Sequence, residues 1–194
     1  MSKHLHPTSY YLINGITLYR IVTAPLLVWL LFSKEYNWFK WLLGASFFTD
    51  LIDGFLARRF KITSILGTRL DSIGDDLTVL VALMGLFVMQ PDFFQEQKAI
   101  LIPLLLLFVI QTGAALYRYG RITSFHTWLA KTAALAQGVF LLSFFFFGTI
   151  YYPLFYVAAF INIVELSEEI VLVGLLPHWE ANIKGLWWVW KRKR

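Results

Sequence analysis

Six apolar stretches of 18 to 24 residues make up most of this chain and leave only short polar segments between them. A helix needs about 20 apolar residues to cross the hydrocarbon core of a bilayer, so each stretch is long enough to span a membrane. The stretches are Leu12–Phe32, Trp38–Leu56, Leu66–Met89, Ala99–Leu116, Leu129–Phe147 and Tyr152–Leu175. The sequence therefore predicts an all-α polytopic membrane protein, a bundle of six transmembrane helices.

The composition excludes the soluble classes of protein. Hydrophobic residues make up 58% of the 194 residues and charged residues only 15%, whereas a soluble domain carries about 25% charged residues. The absence of cysteine excludes disulfides, thiolate metal sites and a cysteine nucleophile. Since no linker rich in Gly, Ser or Pro divides the chain, residues 1–194 are expected to form a single domain.

Basic and aromatic residues indicate how the predicted bundle sits in the membrane. Fourteen of the 17 lysines and arginines lie on the side that holds both termini and the loops after the second and fourth stretches. The remaining three, on the other side, are Lys34, Lys40 and Lys98. Because cytoplasmic loops are enriched in Lys and Arg, both termini are predicted to face the cytoplasm. Trp187, Trp188 and Trp190, beside the basic C-terminus, are typical of an anchor at the membrane interface.

Four aspartates interrupt the second and third stretches near their predicted cytoplasmic ends. An Asp at the centre of a span costs about 2.5–3.5 kcal/mol on insertion scales, so a cation or a polar cavity is needed to offset that cost. At about 100° per residue, Asp50 and Asp53 share one helix face, and Asp71 and Asp75 share another. A short loop makes the two helices antiparallel neighbours, so the four carboxylates are expected to converge. Oxygen ligands in this number suit Mg²⁺ or Mn²⁺, and two ions can share them.

The aspartates belong to a longer pattern with fixed spacing. The full string is Asp50-x2-Asp53-Gly54-x2-Ala57-Arg58-x8-Gly67-x3-Asp71-x3-Asp75. Every position matches the signature of the CDP-alcohol phosphatidyltransferases, also called CDP-alcohol phosphotransferases, and the chain therefore resembles that family. At average residue usage, a chance match of these eight positions is on the order of 10⁻⁸. In a weaker match, Asn14, Thr17 and Arg20 resemble the N-terminal stretch of the family.

The resemblance implies a reaction and a role for each residue. A hydroxyl of an acceptor alcohol attacks the phosphorus of a CDP-linked alcohol, and CMP leaves. Asp50, Asp53 and Asp71 are implied to be metal ligands, and Asp75 the general base and a further ligand, around two Mg²⁺ or Mn²⁺ ions. A diphosphate can approach four carboxylates only with cations between them, which agrees with these roles. The residues implied to hold the CDP moiety are Asn14, Thr17, Gly54, Ala57, Arg58 and Gly67.

The same resemblance predicts the substrates and partners. CDP-diacylglycerol is the expected donor and glycerol 3-phosphate the expected acceptor. The alternative acceptors are phosphatidylglycerol, as in a cardiolipin synthase, serine, inositol phosphate and the aminoalcohols. Arg118 and Lys131 are candidates for binding an acceptor phosphate, or else ordinary positive-inside residues. Glu165, Glu168 and Glu169 are expected either to pair with these basic residues or to bind an acceptor. A homodimer in contact with membrane lipids is also implied, with no nucleic-acid partner.

Two alternatives come from other functional classes. A divalent-cation transporter would explain acids within six spans, but not the glycines and Arg58 at their fixed offsets. A catalytically inactive membrane scaffold would be expected to lack some of the motif aspartates. Asp76 lies about 100° further round its helix than Asp75, so a structural role is expected for it.

Overall fold

The computed structural model describes the backbone of residues 7–60 and 65–193, with most of the side chains. The side chains of residues 7–14, 16, 17, 50, 51, 53–60, 65–69, 71 and 193 lie outside the described set. All regular secondary structure in the described ranges is helical, which confirms the predicted all-α class. The helices are α1 (Pro7–Phe32), α2 (Tyr36–Phe60), α3 (Ile65–Met89), α4 (Pro91–Tyr119), α5 (Trp128–Phe147), α6 (Tyr152–Leu175) and α7 (Leu186–Lys193).

Among the described residues, three helical segments are long and apolar enough to cross a membrane. They are Ser72–Met89 within α3, Pro91–Tyr119 and Trp128–Phe147, and their mean hydropathies are 1.7, 2.4 and 1.6. A shorter apolar segment, Leu18–Phe32, forms the second half of α1. The protein is thus a helical membrane protein as predicted, whereas the number of six spans stays a prediction.

The helix ends follow the predicted stretches where the polarity of the sequence changes sharply. The ends of α3 and α5 match the prediction, each start is one residue earlier, and α6 has the predicted bounds. The largest difference is at α4, which begins at Pro91, eight residues before the predicted apolar stretch. Helix α1 begins five residues before its stretch, and α2 ends four residues after its stretch. Proline suits the first helical position and Asp92 suits the first turn, so α4 begins there although five of its first eight residues are polar.

The chain divides into two compact units, Met1–Leu86 and Phe87–Arg194. In the first unit α1 packs against α2. Leu27 and Leu31 of α1 and Phe39 and Leu43 of α2 are almost completely buried. Removal of such side chains from water stabilises a fold by about 1.5–3 kcal/mol each. The single domain inferred from the sequence stays a prediction.

Helix α6 is the centre of the second unit and packs against α4, α5 and α7. Near its start, Phe155 contacts Phe93 of α4 and Phe140 of α5, with ring centroids 4.9 and 5.5 Å apart. Near its end, a buried cluster joins the helices to the two loops beside them. The cluster comprises Ala115, Phe125, Leu172, Val173, Leu176, Ile183 and Val189.

The loop before α5 and the segment before α7 lie side by side. The N–H groups of Asn182 and Ile183 donate to the carbonyls of Ser124 and Phe125, at 3.2 and 2.7 Å. The N–H of Trp128 donates back to the carbonyl of Lys184 at 3.3 Å. Because these bonds fix the direction of the chain after α6, they position the short helix α7.

The C-terminal end of α6 is closed by side chains of α4. Arg118 Nε donates to the carbonyl of Leu176 at 3.1 Å. The Tyr119 hydroxyl lies 3.0 Å from the carbonyls of both Val173 and Leu176. The last carbonyls of a helix have no partner within that helix, so these bonds satisfy acceptors that would otherwise need water.

Candidate active site

Helices α2 and α3 carry the motif aspartates. Both helices continue without a break through the motif positions, with Asp50 and Asp53 on α2 and Asp71 and Asp75 on α3. This confirms the helical spacing on which the shared-face prediction depends. Most predicted site side chains lie outside the described residues, so their convergence stays a prediction. These are Asn14, Thr17, Asp50, Asp53, Gly54, Ala57, Arg58, Gly67 and Asp71.

Asp75 is the motif aspartate whose side chain the structure describes, and it is ion-paired with Arg20 of α1. Arg20 Nη1 donates a hydrogen bond to Asp75 Oδ1. The Arg20 side chain is completely buried, whereas 36% of the Asp75 side chain is exposed. A buried guanidinium needs a carboxylate partner. The pairing therefore orients Asp75, whose side chain stays partly exposed.

Gly74 allows the Arg20 side chain to lie against α3. A Cβ at position 74 would lie 3.5 Å from Cβ and Nε of Arg20 and 3.6 Å from its Cζ. These are ordinary van der Waals distances, so an alanine would just fit and a larger side chain would displace the guanidinium. The close contact holds Arg20 next to Asp75.

The two predicted acceptor residues lie in the second unit. Both are exposed. Lys131 lies in the first turns of α5, with its Nζ 5.2 Å from the centre of the Trp128 ring. Arg118 lies at the end of α4, where its Nε donates a hydrogen bond to the Leu176 carbonyl. Lys131 is therefore the cation of the two with the more open side chain, and an acceptor role for either stays a prediction.

Two glutamates of α6, Glu168 and Glu169, accept hydrogen bonds from neutral donors around the loop before α5. Glu169 is buried and accepts hydrogen bonds from Gln111 Nε2 at 2.6 Å and Thr123 Oγ1 at 2.8 Å. Glu168 accepts from Thr127 Oγ1 and from the N–H of Leu186, both at 2.9 Å. Glu165 is also buried. These hydrogen bonds connect Glu168 and Glu169 to α4, to the loop before α5 and to α7, and the pairing with basic residues or with an acceptor stays a prediction.

A comparison with known protein families explains the motif. Residues 10–167 match the family model described as CDP-alcohol phosphatidyltransferase. The chain belongs to the CDP-alcohol phosphatidyltransferase family. This confirms the resemblance inferred from the eight motif positions.

Individual phosphatidyltransferases match shorter parts of the chain. A CDP-diacylglycerol–glycerol-3-phosphate 3-phosphatidyltransferase of Pseudomonas fluorescens is 40% identical over 76 residues, which cover 37% of this chain and 38% of that protein. A cardiolipin synthase (CMP-forming) of Streptomyces coelicolor is 35% identical over 79 residues, 38% of this chain and 37% of that protein. The matched stretches thus span less than two fifths of either relative. No solved structure matches the chain.

The contact between Arg20 and Asp75 is the feature of the candidate site that the sequence did not reveal. The sequence places Arg20 in the N-terminal stretch of the family and among the basic residues of the predicted cytoplasmic side. It does not predict a contact between Arg20 and the aspartates. The sequence does contain an indication of such a contact. Arg20 lies at the start of the apolar segment Leu18–Phe32, and an ionisable residue in a span usually has a partner or a function. The identity of the partner, 55 residues away, needed the tertiary structure.

Proposed function

We propose that this protein is a membrane-embedded enzyme that transfers a phosphatidyl group from CDP-diacylglycerol to an acceptor alcohol and releases CMP. The observation that carries the proposal is the complete eight-position motif on α2 and α3 in a chain that belongs to this family. The partly exposed Asp75 carboxylate, held by Arg20, supports it.

The donor set fits a divalent metal centre. Carboxylate oxygens are ligands that Mg²⁺ and Mn²⁺ prefer, and four carboxylates at positions 50, 53, 71 and 75 are enough to hold two ions. Bound there, the ions would neutralise the diphosphate of the donor and stabilise the departing CMP. We assign Asp50, Asp53 and Asp71 to the metals alone, and Asp75 to the metals and to the acceptor hydroxyl.

We assign Asp75 as the general base. Its side chain is partly exposed and is held by the ion pair with Arg20, which supports a role in contact with an acceptor hydroxyl. Asp75 takes the hydroxyl proton as the new P–O bond forms, and the P–O bond to CMP breaks. Arg20 keeps the carboxylate in place. Gly54, Ala57, Arg58 and Gly67, with Asn14 and Thr17, hold the CDP group.

The preferred acceptor is glycerol 3-phosphate, which would make the protein a phosphatidylglycerophosphate synthase. The name of the Pseudomonas fluorescens relative supports this choice. An acceptor phosphate needs cationic partners, and Lys131 and Arg118 are assigned to it. Phosphatidylglycerol is the second candidate, since the Streptomyces coelicolor relative is named a cardiolipin synthase.

The proposed enzyme crosses the membrane six times, with both termini and the site on the cytoplasmic side, and forms a homodimer. The first six helices, each between 20 and 29 residues long, support the six spans. Fourteen of 17 basic residues on one side support the orientation. Single-cysteine labelling from either side of intact cells tests the orientation, since the native chain has no cysteine.

The test of the reaction is an acceptor panel. The purified protein, reconstituted with labelled CDP-diacylglycerol, receives glycerol 3-phosphate, phosphatidylglycerol or serine, and both CMP and the lipid product are measured. We expect CMP release with glycerol 3-phosphate and a phosphorylated lipid product. A product with phosphatidylglycerol alone would make it a cardiolipin synthase. Absence of CMP with every acceptor, together with uptake of Mn²⁺ into sealed proteoliposomes, would favour the transporter.

A further inference from the structure

Helix α7 lies beside the last turns of α6. The N–H of Leu186, its first residue, donates to Glu168 Oε1 at 2.9 Å. Glu168 precedes the end of α6 by seven residues, which is about 10 Å at 1.5 Å per residue. The start of α7 therefore lies beside the last two turns of α6. In a helix that spans a membrane, these turns are the part that enters the head-group layer.

The two sides of α7 differ in exposure and composition. Val189 is buried in the cluster at the end of α6, and Leu186 packs against that cluster. The other side carries Trp187, Trp188 and Trp190, which are 56%, 44% and 53% exposed. Tryptophan concentrates at membrane–water interfaces, because its ring is apolar and its N–H is polar.

The charge around α7 is strongly positive. The segment from residue 177 onwards holds five basic residues and one acidic residue, Glu180. Glu180 forms a two-pronged pair with Arg192, at 2.9 to 3.0 Å. Lys184 and Lys191 are exposed, and Lys191 Nζ lies 5.2 Å from the centre of the Trp187 ring. Positive charge next to interfacial tryptophan is the combination that attracts anionic lipid.

A single carboxylate connects α7 to the start of α5. The second oxygen of Glu168 accepts from the hydroxyl of Thr127, which also caps α5 by accepting from the N–H of Ala130 at 3.0 Å. Gly185 has φ +148, and a Cβ there would lie 3.2 Å from Glu168 Oε1. A glycine is thus needed for the backbone to reach Glu168.

We propose that α7 is an interfacial helix that binds the head groups of anionic membrane lipids, and that Glu168 latches it to the first turn of α5. The lipid-binding surface consists of the three exposed tryptophans with Lys184 and Lys191, and the sequence adds the charges of Lys193 and Arg194 after them. The latch consists of Glu168, Thr127 and the N–H of Leu186. It ties the lipid-bound helix to the turns of α5 that carry Lys131.

Lipid selectivity is tested by quenching of tryptophan fluorescence in the full chain. The protein is reconstituted in phosphatidylcholine vesicles with a minor fraction of brominated phosphatidylglycerol or brominated phosphatidylcholine. We expect the brominated anionic lipid to quench about threefold more strongly, because the basic residues enrich it around α7. Replacement of Trp187, Trp188 and Trp190 by Phe removes the selective part of the signal.

Two charge variants distinguish lipid binding at the proposed surface from a general attraction of anionic lipid to any basic residue of the protein. K184Q/K191Q/K193Q/R194Q should lower the quenching ratio to about 1, while Arg192 stays paired with Glu180. K34Q/K40Q/K98Q removes basic residues from the predicted opposite side and should leave the ratio unchanged. Equal quenching by both lipids in the native protein, or an unchanged ratio in the first variant, would overturn the proposal.

The latch is tested by trypsin cleavage after Lys184. Glu168→Ala should accelerate cleavage about tenfold, because the bonds that hold α7 at its start are lost. Glu96→Ala is the control, since that exposed acid bonds Tyr152 near the other end of α6. If Glu168→Ala does not fold, Gly185→Ala disturbs the same contact from the opposite side and should also accelerate cleavage. Native cleavage rates in the folded variants would refute the latch.

Discussion

The acidic side chains of the two units differ in their burial and in the kind of partner that they have. In the first unit, Asp75 pairs with a buried arginine and keeps about a third of its side chain exposed. In the second unit, Glu169 is buried and bonded to an amide and a hydroxyl. A partly exposed side chain can be reached from outside the protein, whereas a buried carboxylate bonded to donors helps to fix the fold. The difference agrees with the proposed catalytic role of Asp75 and indicates a structural role for Glu169.

Removal of divalent metal is expected to have the largest effect. If the aspartates of α2 and α3 hold two ions, EDTA should abolish CMP release and Mg²⁺ or Mn²⁺ should restore it. Metal removal should hardly change the thermal stability of the second unit, because its acids accept hydrogen bonds from groups within the protein. The rate of proteolysis within α4–α7 at increasing temperature measures that stability. Full activity after verified metal removal would contradict the metal assignment.

Replacement of single aspartates comes next. Asp50→Asn and Asp71→Asn each remove the charge of a metal ligand, so we expect kcat to fall by about 100-fold or more. Asp76→Asn is the matched control on α3 and should stay within a few fold of the native rate. An equal loss in Asp76→Asn and Asp71→Asn would show that the assignment of helix faces is wrong.

Arg20 gives the test of the positioning role. Arg20→Lys keeps the charge and loses the planar fork, so we expect kcat to fall about tenfold. The KM for the donor should hardly change, because Arg20 acts through Asp75. A parallel rise in donor KM without a change in kcat would instead indicate that Arg20 binds the donor directly.

A smaller, substrate-specific effect is expected at Lys131. Lys131→Ala should raise the KM for glycerol 3-phosphate about five- to tenfold, since one charge-assisted contact is lost, and leave the donor KM unchanged. Arg121→Ala is the control, because this nearby arginine lies over the Trp179 ring. An unchanged acceptor KM at native expression would remove Lys131 from the site.

The smallest effect on activity is expected at Glu169. Glu169→Gln keeps the shape and loses the charge that Gln111 and Thr123 bind, so the free energy of unfolding should fall by about 1 kcal/mol. Turnover of the folded protein should stay native. Loss of turnover without loss of stability would place Glu169 with the aspartates and remove the contrast between the two units.

The sequence predicted the helices and the family better than the contacts. Long apolar stretches determine where α3, α5 and α6 begin and end, and the motif spacing pointed to the family. The Arg20–Asp75 pair and the partners of Glu168 and Glu169 join residues 18 to 58 positions apart, which helical periodicity does not encode. Helix α7 was predicted only as an anchor, since eight residues are too few to show a periodic pattern.

The closure of α6 by Arg118 and Tyr119 reduces the dependence of this helix end on water. A helix that ends in water-dependent carbonyls must emerge fully into the head-group layer. Here the acceptors at Val173 and Leu176 are satisfied by side chains of the neighbouring helix. This end of α6 therefore needs fewer water molecules than an open helix end, so loss of the Tyr119 hydroxyl would expose the Val173 carbonyl, whose replacement partner would be solvent, while Arg118 still bonds the Leu176 carbonyl.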